Sequence, residues 1–168
     1  MIFSTPESLA HLVAPWAHFY SHSKSAPTIV TFLHIAPIIV GGGLGIALDR
    51  STLRVRAGDT DGRARHLREL GGAHSWVVGG LLLSVVTGLL LTAADLDTFL
   101  GSWAFWLKMG MLAVLLGNGF VMTRLETRLR AAQKDADVIW RRLRHAAYAS
   151  LTLWLAITFV GVVLTNVA

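Results

Sequence analysis

Four stretches of about 20 residues carry almost no charge: Thr28–Leu48, His74–Ala94, Trp103–Thr123 and His145–Val167. A helix of that length crosses a hydrocarbon core about 30 Å thick. The feature decides the class of fold, because a chain in lipid must satisfy its backbone within helices or a closed barrel. Charged residues make up only 15 % of the 168, against 54 % apolar, where a soluble domain has about 25 % charged. Little sequence is left over for a soluble domain. The expected fold is all-α, an up-down bundle of four transmembrane helices with short connections. Residues 1–27 form an N-terminal interfacial segment and residues 28–168 the membrane domain. The first span follows a segment with no basic n-region and has full-span length, so it is expected to be retained rather than cleaved as a signal peptide.

The charges that do occur are unevenly placed. Arg50, Arg54, Arg56, Arg63, Arg65 and Arg68 lie between spans one and two. Arg124, Arg128, Arg130, Lys134, Arg141, Arg142 and Arg144 lie between spans three and four. These are thirteen of the fifteen Lys and Arg residues, the others being Lys24 and Lys108. The positive-inside rule places both basic connections in the cytoplasm and both termini on the other side, as in a bacterial inner membrane. The net charge of +5 is thus a topology signal and points to anionic lipid headgroups as partners rather than nucleic acid. With no cysteine in the chain, disulfides, zinc thiolate sites and iron–sulfur clusters are excluded.

Before the first span, Thr5 followed by Pro6 is a helix-start signal. Leu9, Leu12, Val13, Trp16, Phe19 and Tyr20 then recur at a helical period, with His11, His18 and His22 on the opposite face. An amphipathic helix rich in aromatic residues beside a span belongs in the membrane interface. Its histidines form either a plain polar face or a metal-accepting one, since imidazole suits copper and zinc. Pro15 interrupts the segment.

Small residues recur every three or four positions in each span: Gly41 and Gly45; Gly80, Ser84 and Gly88; Gly110, Ala113 and Gly117; Ala146, Ala149 and Ser150. Such spacing lets membrane helices approach closely, and it also leaves room for a flat cofactor.

Ionisable groups at membrane depth are costly and mark candidate sites. His34 lies about two turns into span one, with Pro37 three residues on and Gly41 and Gly45 expected on its face. Lys108 lies in the outer part of span three and is placed to snorkel outward. Asn118 lies deeper and needs a partner. No carboxylate falls inside the four stretches, which argues against a carboxylate-coupled transporter. His74 and His145 open spans two and four, which run in the same direction, so both stand at the cytoplasmic boundary. Across diagonal helices, two inward imidazoles would hold an iron between them. Arg65, Arg68, Arg141, Arg142 and Arg144 are near in sequence to pair with porphyrin propionates. The alternative is that both histidines are helix-start residues wetted by water or headgroups. No Gly-x-Ser-x-Gly, P-loop or His-Glu-x-x-His pattern occurs.

Thr31-Phe-Leu-His34 followed by Gly41-Gly-Gly resembles the first helix of the copper-resistance-D-type membrane proteins and of the HemJ-type protoporphyrinogen oxidases. Trp106-Leu-Lys108 and Thr87-Gly88-Leu-Leu-Leu resemble their third and second helices. The resemblance implies that His34 is a metal or haem ligand and Lys108 a functional lysine. Gly117-Asn118-Gly119 stands where the HemJ pattern has histidine nearby. Cytochrome b561 proteins, which pair histidines across a four-helix bundle, are a looser comparison. The leading expectation is a b-type haem membrane protein in electron transfer or redox chemistry, an oxidoreductase if an enzyme, exchanging electrons with a quinone or a protein partner. The alternatives are a copper-handling protein using His34 and the N-terminal histidines, and a cofactor-free structural subunit of a homo-oligomer or larger membrane complex.

Overall fold

The computed structural model describes residues 7–56, 58–131 and 135–167, apart from the side chains of residues 72–75 and 167. The chain is all-α. Its helices are α1 (Glu7–His22), α2 (Ala26–Pro37), α3 (Gly43–Arg54), α4 (Thr60–Ala94), α5 (Leu96–Gly101), α6 (Trp103–Ala131) and α7 (Ala136–Val167), with a π-helical stretch, Ile38–Gly42, joining α2 to α3. Among the described residues four units are long and apolar enough to cross a membrane: Ala26–Arg54, Trp76–Ala94, Trp103–Ala131 and Ala136–Asn166. The protein is therefore a multi-pass membrane protein. The Thr5-Pro6 helix start lies outside the described residues.

The helices extend well past the apolar stretches. The two basic connections are mostly helix: α3 runs to Arg54 and α4 starts at Thr60, while α6 runs to Ala131 and α7 starts at Ala136. Gly58, at φ 83, makes the first turn, a conformation that glycine adopts without strain. Asp59 then caps α4, its carboxylate accepting from the Gly62 amide at 2.7 Å. At the opposite end the Asp95–Ser102 connection is the short helix α5, with the Asp95 carboxylate accepting from the Thr98 amide.

The basic extensions hold together because their leucines share faces. Leu67, Leu70, Leu125, Leu129, Trp140 and Leu143 form one buried cluster outside the apolar stretches. Arg63 bridges the two connections, pairing with Asp137 at 2.7 Å and lying over the Trp140 ring. Deeper in, Leu115, Trp154 and Ile157 pack with Ile38, Ile46, Val77 and Leu81. At the far end Ala104, Val160 and Leu164 pack with Phe99 and Phe105.

Within the membrane, lipid supplies no hydrophobic drive, so close backbone approach holds the helices. The first span lies against both α4 and α7, and α6 lies against α7. Gly80 and Gly41 meet so closely that a Cβ on Gly80 would lie 2.9 Å from the Pro37 carbonyl oxygen and 3.2 Å from the Gly41 Cα. Gly42 and Gly45 instead receive the Trp154 indole of α7. Gly45 thus does not share His34's face, because the π-helical stretch lies between them and alters the helix phase. Helix α1 docks on α4, where the Trp16 indole donates to the Leu90 carbonyl at 2.8 Å.

Candidate functional site

His34 sits at the joint between α2 and α4. Its Nδ1 donates to the Ser84 carbonyl at 2.9 Å, with Thr87 Oγ1 3.3 Å away. A carbonyl only accepts, so the proton is on Nδ1 and the lone pair is on Nε2. Among the described residues Nε2 has no hydrogen-bond partner. The glycine at position 88 makes room for the ring, since a Cβ there would lie 3.0 Å from His34 Cε1. The sequence therefore builds the seat of the imidazole from Ser84, Thr87 and Gly88, one turn of α4.

Lys108 is half-buried and does not reach out from the bundle as a snorkelling lysine would. Its Nζ lies beside Gly161 of α7, 3.6 Å from where a Cβ would be. It is close enough to His34 for the two basic groups to interact electrostatically. His34 is thus seated against α4 and Lys108 against α7. Asn118 finds its partner on α7, donating to the Ala146 carbonyl at 2.9 Å.

Of the expected histidine pair at the basic end, the structure describes the side chain of His145 alone. His74 has its side chain outside the described residues. His145 is exposed, in a shallow groove with Phe120, Val121, Arg124, Leu125, Arg128 and Arg142. It does not point into the bundle: at that level the inner face of α7 is taken by Leu143, Ala146, Ala147 and Ser150. Arg65, Arg68, Arg141 and Arg142 are exposed, and Arg144 is half-buried with an Nε that meets no described partner.

Besides the exposed Asp137, two carboxylates withdrawn from solvent lie within the membrane-spanning helices. Asp49 is 3 % exposed, is hydrogen-bonded by Ser150 and feels the charge of Glu126, itself half-buried on α6. The second Asp49 oxygen, Oδ2, has no described partner. Asp49 was missed because it follows the apolar run by one residue, and Glu126 because it was counted with the basic connection. The absence of carboxylates cannot therefore be used against proton-coupled chemistry. Where α4 meets the end of α3, His66 is buried, with Nε2 2.7 Å from Thr52 Oγ1 and Nδ1 3.2 Å from Ser51 Oγ. Burial lowers the His66 pKa, against a weaker upward pull from Glu69.

In the N-terminal helix His18 and His22 stack at 4.1 Å between ring centroids, and His22 Nδ1 is 2.9 Å from the His18 carbonyl. No group of three or more metal-ligating side chains occurs among the described residues. A scan against protein-family models and searches of curated proteins and of solved structures find no match to this chain.

Proposed function

We propose that this chain is a membrane redox protein that holds a b-type haem through His34. The observation that carries the reading is the fixed tautomer of that residue: Nδ1–H is committed to the Ser84 carbonyl, which leaves the Nε2 lone pair for a metal. A backbone acceptor on the far nitrogen orients a ligating imidazole and raises its basicity. An imidazole at this depth is costly unless it is bonded or ligating. The haem, when bound, would supply one-electron exchange with a quinone or protein partner. Lys108 contributes positive charge within electrostatic reach of His34, suited to an anionic group brought beside it. The exposed position of His145 fits an interior basic-end haem poorly, so the reading rests on His34. The excess of arginine at one end supports a cytoplasmic basic end, with both termini outside, in a bacterial inner membrane.

The test is a dithionite-reduced minus oxidised spectrum of detergent-solubilised protein from haem-replete cells. A haem signature lost in His34→Ala but kept in His145→Ala is the expected result. A colourless wild-type protein, or a spectrum unchanged in His34→Ala, overturns the proposal. The stacked His18–His22 pair favours one other reading, copper handling at the outer side. Copper bound stoichiometrically and lost in His18→Ala/His22→Ala, with no haem, would select it.

A further inference from the structure

The exposed position of His145 leaves a residue that the redox site does not use, and its surroundings have a chemistry of their own. Arg124 and Arg128 stand one turn apart on α6, and Arg142 and His145 one turn apart on α7. All four line one groove between the two helices, over a floor that includes Phe120, Val121 and Leu125. Phe120 is 61 % and Val121 49 % exposed, so the floor opens to the acyl region. The basic rim lies at the end of the apolar span, where headgroups stand.

Charge complementarity selects the occupant. No carboxylate lines the groove. Glu126, between Arg124 and Arg128 on α6, is half-buried, does not line the groove, and has Arg130 as its charge partner. Among the described residues the ion pair of the basic end is Arg63–Asp137, and Arg124, Arg128 and Arg142 form none. The Arg124 guanidinium lies 4.7 Å over the Phe120 ring. Stacking by its face leaves the N–H edge for an acceptor. Three guanidinium forks suit phosphate oxygens bidentately.

We infer that this groove is a specific site for an anionic glycerophospholipid, its phosphodiester held by Arg124, Arg128, Arg142 and His145 and an acyl chain laid along Phe120 and Val121. A zwitterionic lipid fits less well, because its ammonium group would stand among the arginines. Inorganic phosphate shares the headgroup chemistry but makes no use of the apolar floor.

The experiment is native mass spectrometry of the full chain released from nanodiscs of equal parts phosphatidylglycerol and phosphatidylcholine. Retained phosphatidylglycerol should exceed phosphatidylcholine about tenfold or more, in line with the strong pull of juxtamembrane arginines on anionic lipid. The triple variant Arg124→Gln/Arg128→Gln/Arg142→Gln should lose that preference. Arg50→Gln/Arg54→Gln/Arg65→Gln, with the same change in net charge at the same end, should keep it. Equal losses in both triples would reduce the effect to the general field of the basic end and overturn the site. Displacement of the lipid by 10 mM inorganic phosphate would overturn the lipid as occupant. Wild-type protein labelled with a photoactivatable phosphatidylglycerol gives a readout independent of any substitution. Adducts should map to Phe120, Val121 and Leu125, and adducts only elsewhere would sink the inference.

Discussion

Alanine at Gly80 and alanine at Gly79 separate helix packing from helix propensity on the same turn of α4. A Cβ on residue 80 would lie 2.9 Å from the Pro37 carbonyl oxygen and 3.2 Å from the Gly41 Cα, whereas a Cβ on residue 79 meets nothing within 4 Å. Non-bonded heavy atoms are comfortable at about 3.5–4.0 Å, and both obstructing atoms are backbone. No rotamer change can relieve the clash, so α4 must move several tenths of an ångström from the first span. Each substitution gains the same intrinsic preference, up to about 1 kcal/mol, so their difference isolates the contact. Overpacking of this kind costs about 1–3 kcal/mol. Gly80→Ala is thus expected to be less stable than Gly79→Ala by about that amount. Gly41→Ala should fall between them, since its Cβ would meet α4 at 3.4 Å, an ordinary contact distance. The assay is reversible unfolding in mixed micelles of rising dodecyl sulfate content, followed by circular dichroism. Equal midpoints for the two α4 variants would refute the packing argument. The shift also moves the Ser84 carbonyl, 2.9 Å from His34, so Gly80→Ala should weaken binding of the proposed haem while Gly79→Ala leaves it intact.

Asn118→Leu removes the hydrogen bond to the Ala146 carbonyl and should cost about 0.6 kcal/mol, the usual value for one interhelical bond in a membrane; the same unfolding assay measures it, and a loss above about 3 kcal/mol would show a wider network. Trp16→Phe removes the indole bond to Leu90 and should free α1 from α4, read as faster proteolysis before Ala26 with unchanged membrane helices. Burial holds the folded His66 pKa below its ordinary 6.5. As pH falls the unfolded chain therefore takes up that proton first, and stability declines from near pH 6.5 until the folded imidazole also protonates. His66→Gln should flatten this acid limb in unfolding midpoints measured from pH 7.5 to 5; an unchanged slope would refute it.

The spans were legible because transmembrane helices are written as uninterrupted apolar runs, and the pairing of Asn118 followed from the cost of a bare amide in lipid. The helical extensions were written too, as Leu67 with Leu70, Leu125 with Leu129 and Trp140 with Leu143, but arginine between them reads as loop when only hydropathy is followed. His145 shows where one-dimensional reading stops. Its depth could be counted along the chain, but its direction depends on how α7 is rotated against α6 and α3, which tertiary packing decides. His34 was legible as a costly group, whereas the carbonyl that orients it lies fifty residues away.

The widened turn at Ile38–Gly42 has a consequence for insertion and deletion. One residue accounts for about 100° of helix rotation, and a π turn is an α-helix carrying one residue more than it needs. Upstream of it the first span presents His34 to α4, and downstream it presents Gly45 to α7. Removing a single residue there would return the segment to regular winding with both halves still turned toward their present neighbours, because the π turn already absorbs that residue's rotation. Regular winding at unchanged length would instead turn one half of the span against the other by about that angle, and either the imidazole or the tryptophan seat would face the wrong neighbour. A one-residue deletion should thus be tolerated within Ile38–Gly42 and not elsewhere between His34 and Gly45.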